Sequence, residues 1–96
     1  MHTVTAIHIV ITGRVQGVGF RDWLVRDARQ RGVSGWVRNL GHEKVEAVLS
    51  GAHDAVAACL AACRQGPPLA HVQNIVTSPD TAPTEPGFVR RPSMPE

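Results

Sequence analysis

The fold is decided by the stretch ITGRVQGVGFR, residues 11–21, which joins a strand-like segment to a helix-like one. Before it, residues 4–12 alternate in polarity and are rich in β-branched side chains, which is typical of a half-buried strand. After it, residues 21–31 change to a helical period, and Gly32 follows as a candidate helix C-cap. The chain is therefore expected to pass from a strand to a helix through a glycine-rich loop.

The rest of the chain continues this alternation of strands and helices. We predict strands over residues 33–40, 44–50 and 69–77, a helix from residue 52 to the Gly66-Pro67-Pro68 sequence, and a short last strand over residues 88–91. The order β-α-β-β-α-β predicts an α+β, ferredoxin-like sandwich, in which two helices pack on one face of an antiparallel sheet. Residues 1–96 are interpreted as one domain, with a proline-rich, mostly irregular C-terminal part over 79–96.

Composition and charge limit the function classes. The chain is 43% hydrophobic and 19% charged, which is typical of a globular protein and not of a disordered one. The net charge is only +2 and the basic residues form no block, which argues against a nucleic-acid partner. Of the ten basic residues, Lys44 is the one lysine, and arginine suits bidentate contacts with phosphate or carboxylate. A small anionic ligand fits this balance.

The sequence also predicts where the protein works. No apolar run is long enough for a transmembrane helix, and residues 1–4 do not start a signal peptide. Cys59 and Cys63 lie four residues apart on a predicted helix, where we expect buried free thiols and not a nucleophile. The five histidines are widely spread and form no ligand pair, so no metal site is predicted. We expect a cytoplasmic protein with no membrane partner.

The glycine-rich loop is the candidate for chemistry. Gly13, Gly17 and Gly19 allow the backbone to turn its N–H groups toward one point, and the following helix N-terminus adds further donors. Arg21 lies at that terminus and offers a two-pronged cation. From these residues alone, a structural turn and an anion site both remain open. A Walker A loop is excluded by its spacing, and a dinucleotide fingerprint by Asp22 in place of the third glycine.

Two motifs resemble the signatures of the acylphosphatase family. Residues 11–21 resemble the first signature, and GWVRN at residues 35–39, continued by VEAVLSG at residues 45–51, resembles the second. The resemblance runs from the first strand through the second helix, and residues 86–91 are similar to the family's final strand. It implies a ferredoxin-like fold and hydrolysis of a carboxyl–phosphate anhydride to a carboxylate and inorganic phosphate.

The resemblance also implies roles for particular residues. The arginine that ends the first signature binds phosphate together with the loop N–H groups, and the asparagine of the second positions the attacking water. Here these are Arg21 and Asn39. The implied phosphate-binding set is Val15, Gln16, Gly17, Val18, Gly19, Phe20 and Arg21. A small acyl phosphate is the implied partner of a monomer that needs no cofactor and no metal.

One position departs from the family pattern. Glu43 stands where the second signature normally carries a glycine, close to the predicted turn between two strands. We expect Gly41 to supply the left-handed turn residue in its place. Because Asn39 comes just before this turn, its placement depends on that substitution.

Two other functions are weighed against the enzyme. RNA-recognition domains share the strand order but stack bases on exposed aromatic residues of two central strands. The comparable positions here hold His8 and Val10 on one strand and Glu46 and Val48 on the other, so RNA binding is disfavoured. The second alternative is a non-catalytic domain that binds or senses acyl phosphate or carbamoyl phosphate.

Overall fold

A computed structural model describes residues 4–96, which contain five strands and two helices. In chain order they are β1 (Val4–Arg14), α1 (Phe20–Gln30), β2 (Ser34–Leu40), β3 (Lys44–Ala52), α2 (His53–Cys63), β4 (His71–Pro79) and β5 (Phe88–Arg90). Residues 1–3, which include one of the five histidines and most of the segment considered for a signal peptide, lie outside this range.

The strands form one sheet in the order β4-β1-β3-β2-β5. β1 pairs antiparallel with both β3 and β4, and β2 pairs antiparallel with β3. The predicted ferredoxin-like α+β fold is confirmed. The short β5 adds a parallel pair at the β2 edge, with Arg90 opposite Val37, a pairing that the sequence did not specify.

The core lies between the sheet and the two helices. Alternate residues of β1 and β3 are aliphatic and point toward the helices. α1 and α2 each pack one apolar stripe against them. The central members of this core are Ile9, Ile11, Leu24, Ala28, Val45, Leu49, Val56, Cys59 and Cys63. Because only residues 15–19 separate β1 from α1, the end of β1 and the start of α1 lie at the same end of the strands.

Several element bounds differ from the predicted ones. β1 continues two residues beyond the predicted end, since Arg14 pairs with His71 of β4. β4 runs on to Pro79, which pairs with Ile7. These extensions come from cross-strand hydrogen bonds, and local polarity patterns carry no signal for them.

None of the helices within residues 4–96 is long and apolar enough to cross a membrane.

Candidate functional site

A cavity of about 150 Å³ opens where β1 passes into α1. We call it the loop cavity. Its lining comes from the connecting loop, the first turn of α1, β2 and β5: Val15, Gln16, Gly17, Gly19, Phe20, Arg21, Asp22, Asn39 and Arg90. Six of the seven residues in the predicted phosphate-binding set line it, and so does Asn39. Val18 does not, because its half-buried side chain packs against the core.

The backbone of the loop presents unpaired donors. Gly17 and Gly19 have φ angles of 71° and 77°, which L side chains rarely adopt. An added Cβ at either glycine would meet no atom within 4 Å, so conformation and not space requires glycine. Within the described chain, the backbone N–H groups of residues 16–21 donate no hydrogen bond. Successive unpaired N–H groups beside a helix N-terminus form an anion-binding geometry.

Arg21 is a half-buried cation without a partner. Within residues 4–96 its guanidinium makes no ion pair and no hydrogen bond. Burial lowers the pKa of Arg21 from its usual value, and the nearby Arg90 lowers it further, whereas Asp22 raises it. Arginine nevertheless stays protonated in proteins. Arg21 therefore adds a free positive charge to the unpaired donors of the loop.

Asn39 contributes an unsatisfied acceptor. It lies near the end of β2, on the same face of the strand as the buried Val37. Of the buried side-chain polar atoms in residues 4–96, Asn39 Oδ1 is the one without a hydrogen-bond partner. Leaving such an atom unpaired costs about 1–3 kcal/mol. Native proteins leave few polar atoms in this state, and those that remain require an explanation.

The backbone around Asn39 is held by hydrogen bonds from the C-terminal segment and from the glycine-rich loop. Its carbonyl oxygen accepts a hydrogen bond of 3.0 Å from Met94 N, and Met94 O accepts one of 2.8 Å from Gly41 N. Gln16 Nε2 donates to Gly41 O at 3.1 Å and to Lys44 O at 2.8 Å. The loop that holds the unpaired donors and the strand end that carries Asn39 are thus tied together through one glutamine amide.

The turn after Asn39 has the predicted conformation. Gly41 has a φ of 60°, so it supplies the left-handed residue, while Glu43 is exposed. Glu96 packs against Gly41, and its carboxylate accepts a hydrogen bond from Lys44 Nζ. This C-terminal segment forms the outer wall of a groove of about 610 Å³ that Gln16 and Asn39 also line.

Three features of the site were missed by sequence reasoning. Arg90 reaches the loop cavity from β5, and its Nη1 donates to Asp22 Oδ1 at 2.7 Å. Asp22 thus has Arg90 as its ion-pair partner. The side-chain bonds of Gln16 were also missed. Each of these depends on strand or turn packing between residues 25 or more positions apart, for which the sequence carries no local signal.

The cysteines take the structural place that the sequence predicts. Both are free and fully buried in the core on α2. A hydrogen bond with Cys59, together with burial, raises the pKa of the Cys63 thiol well above its usual value, which opposes the thiolate form.

Within residues 4–96, no three side chains of His, Cys, Asp or Glu lie close enough to hold a metal ion.

The fold and this site define a ferredoxin-like α+β protein with a glycine-rich loop cavity at one edge of its sheet. A family model described as "Acylphosphatase" matches residues 7–89. The acylphosphatase of Acidiphilium cryptum is 52% identical over 86 residues, which is 90% of this chain and 94% of that protein. The acylphosphatase of Rhodospirillum rubrum is 48% identical, over 88% of this chain and 92% of that protein.

Solved structures give the same result. The structure of an acylphosphatase from Coxiella burnetii superposes with a TM-score of 0.87 at 34% identity, over 92% of this chain and 93% of that one. The chain belongs to the acylphosphatase family. This membership confirms both the resemblance and the prediction that the protein is an enzyme.

Proposed function

We propose that the loop cavity binds the phosphoryl group of a small acyl phosphate and that the enzyme hydrolyses its carboxyl–phosphate bond. One observation carries the proposal: unpaired N–H donors, an unpartnered Arg21 and an unsatisfied Asn39 oxygen line the same cavity of about 150 Å³. A phosphoryl group supplies acceptors for all of the donors at once. A water molecule supplies the donor that Asn39 lacks.

The donors act on the charge of the phosphoryl group. During transfer, negative charge spreads over its three non-bridging oxygens, and catalysis depends mainly on positioning and electrostatic stabilisation. Fixed N–H groups and Arg21 provide this stabilisation without reorganising during the reaction. The guanidinium of Arg21 binds two of these oxygens through its fork, which a lysine ammonium does not reproduce.

Asn39 orients the nucleophile. Its Oδ1 accepts a hydrogen bond from the attacking water, which places the water oxygen in line with the bond that breaks. The water oxygen forms a bond to phosphorus, and the bond from phosphorus to the carboxyl oxygen breaks. The carboxylate leaves with the electron pair, and the proton of the water passes to the released phosphate or to solvent. A carboxylate is a good leaving group, so no strong general acid is required.

Two variants separate binding from turnover. Arg21→Lys is expected to lose most activity and to raise the inhibition constant of inorganic phosphate, because the fork geometry is lost. Asn39→Ala is expected to lower kcat while inorganic phosphate still inhibits at its wild-type concentration. Steady-state hydrolysis of benzoyl phosphate, with inorganic phosphate as inhibitor, measures both constants.

Matched controls come from exposed residues outside the cavity. Arg64→Lys at the end of α2 and Asn74→Ala on β4 repeat the two substitutions and are expected to behave as wild type. Near-normal turnover of Arg21→Lys would remove Arg21 from its central role. If phosphate inhibition disappeared together with turnover in Asn39→Ala, Asn39 would hold the cavity in shape and not the water.

We also propose that the enzyme works as a cytoplasmic monomer. The free thiols of Cys59 and Cys63 suit a reducing compartment. Gel filtration with light scattering measures the oligomeric state, and a concentration-independent mass close to 10.3 kDa is expected. A dimer mass at micromolar concentration would contradict the monomer.

A further inference from the structure

Arg90 is the second guanidinium of the loop cavity, and the mechanism proposed above gives it no role. Its strand is held beside β2 by the parallel pairing of Arg90 with Val37, and Arg29 Nε donates to Phe88 O at 3.1 Å. From this fixed backbone, the Arg90 side chain reaches the first turn of α1 and contacts Asp22. Arg90 therefore lines the cavity, and because its side chain is partly exposed, it lies at the solvent-facing mouth.

The charges at this mouth remain net positive. Arg21 and Arg90 contribute two positive charges and Asp22 contributes one negative charge. The two guanidiniums lie close enough that Arg90 lowers the pKa of Arg21. Like charges at such distances repel, and the pairing of Arg90 with Asp22 offsets part of this repulsion. When a phosphoryl group pairs with Arg21, Arg90 remains the second cation of the cavity, with the exposed carboxylate of Asp22 as its partner.

The contact between Arg90 and Asp22 is easily replaced. The two side chains are 44% and 61% exposed, and exposed ion pairs contribute little to stability. Two neighbouring arginines have other partners within the protein: Arg91 lies over the ring of Trp36, and Arg29 donates to the backbone carbonyl of Phe88. Arg90 is thus a cation at the cavity mouth that can exchange its carboxylate partner for one carried by a ligand.

The size of the cavity decides which part of a substrate meets Arg90. A volume of about 150 Å³ is small beside the roughly 300–1,000 Å³ of typical ligand pockets, so we infer that the cavity holds the phosphoryl group and not the whole substrate. The acyl part of an acyl phosphate then extends out of the cavity, and the proposal below places it on the side where Arg90 and Asp22 lie.

We propose that Arg90 is a specificity-determining residue that binds an anionic group on the acyl part of the substrate. The enzyme then prefers acyl phosphates that carry a second negative group over uncharged ones of the same shape. This inference rests on the proposed function, since it assumes that the phosphoryl group occupies the loop cavity.

A matched pair of substrates tests the preference. Benzoyl phosphate and 4-carboxybenzoyl phosphate share a rigid ring and differ by one carboxylate placed far from the reacting bond. Wild type is expected to show a kcat/KM about fivefold higher for the carboxylated substrate, after each is normalised to its uncatalysed rate. The difference should appear in KM, because the contact is the same in the ground state and the transition state. High salt should reduce it.

Variants separate direct contact from a general effect of charge. Arg90→Gln is expected to abolish the preference and Arg90→Glu to reverse it, while Asp22→Asn strengthens it. The double variant Asp22→Asn/Arg90→Gln restores the net charge of the mouth but not the preference. Arg91→Gln, one residue further along the chain, serves as the control and is expected to keep the wild-type ratio.

The outcomes distinguish a failure of this inference from a failure of the proposed hydrolytic function. If folded wild type hydrolyses neither substrate, the proposed function and this inference both fail. If it hydrolyses both with equal kcat/KM, or if Arg90→Gln lowers both rates and keeps the ratio, the specificity role alone is overturned. Recovery of the preference in the double variant would also overturn it, because Arg90 would then act only by neutralising Asp22.

Discussion

The loop cavity and the opposite face of the sheet use arginine in contrasting ways. We call the second region the outer sheet face, formed by His8, Trp36, Arg38, Glu46 and Arg91. There Glu46 accepts hydrogen bonds of 2.6 Å from Arg38 Nε and 2.7 Å from His8 Nε2. The guanidiniums of Arg38 and Arg91 lie 4.7 and 4.8 Å from the Trp36 ring centre. The charged groups of this face have their partners within the protein.

The loop cavity leaves several of its polar groups without partners. Arg21 has no acceptor, the N–H groups of residues 16–21 have none, and Asn39 Oδ1 has no donor among the described residues. A satisfied network contributes to folding, whereas an unsatisfied one costs stability and is retained where a ligand completes it. The contrast supports the proposal that the loop cavity is the site of function, and it indicates that the outer sheet face contributes to stability.

The largest expected effect is a separation of activity from stability. Asn39→Ala should lower kcat about 100-fold, because the attacking water loses its orientation. Its thermal unfolding midpoint should stay level or rise slightly, since no side-chain hydrogen bond is lost and a buried unpaired oxygen is removed.

Glu46→Ala should do the opposite. It leaves Arg38 and His8 without their acceptor, so the free energy of unfolding should fall by about 1–3 kcal/mol while kcat stays near the wild-type value. Calorimetry and benzoyl phosphate turnover measure the two quantities. An equal drop in the thermal unfolding midpoint for Asn39→Ala and Glu46→Ala would contradict the contrast between the two regions.

A smaller effect is expected from the loop backbone. Gly19→Ala places an L side chain at a φ of 77°, which costs about 1 kcal/mol and turns the N–H groups away from the cavity. The inhibition constant of inorganic phosphate should rise about tenfold, the loss expected for one donor to a charged group.

Gly32→Ala is the matched control for this change. Gly32 follows the other end of α1 with a φ of 71°, and it too has open space around it. The same strain should lower stability there without changing phosphate inhibition. Equal inhibition constants for the two variants would show that the left-handed glycine at position 19 has no part in binding.

The smallest expected effect is a pH dependence of stability. Burial of Glu46 disfavours its ionised form, but the hydrogen bonds with His8 and Arg38 outweigh it and hold its pKa below the usual 4.5. A carboxyl whose pKa is lower in the folded than in the unfolded chain stabilises the fold above the unfolded pKa. This contribution should be lost as pH falls from about 4.5 through the folded pKa.

Urea unfolding at several pH values measures this dependence. Glu46→Gln should be less stable than wild type at neutral pH by about 1 kcal/mol, and the gap should close in acid. A gap that stays constant from neutral to acid pH would show that Glu46 contributes by packing alone.

The sequence predicts most elements of the fold, but only part of the candidate site. Alternation in residues 4–12 and the helical period of residues 21–31 are local patterns, so the elements and the glycine-rich loop follow from them directly. Gly41 as the turn residue is equally local, and its φ of 60° agrees. The family signatures then lead to Arg21 and Asn39, which the structure brings to one cavity.

The remaining features depend on contacts between distant segments. The sequence predicts a short last strand over residues 88–91, but not the parallel pairing of β5 with β2 that brings Arg90 to the cavity. The two hydrogen bonds of Gln16 require that the loop and the β2–β3 turn lie side by side. An unsatisfied oxygen such as Asn39 Oδ1 is visible only once every neighbour has been placed.

The most direct measurement is hydrolysis of benzoyl phosphate by purified protein in EDTA, with Arg21→Ala and Arg38→Ala measured beside wild type. We expect wild type and Arg38→Ala to turn over substrate at similar rates in the chelator, and Arg21→Ala to lose at least 100-fold in kcat/KM. Failure of folded wild type to hydrolyse the substrate, or retention of activity by Arg21→Ala, would contradict the assignment of the loop cavity as the catalytic site.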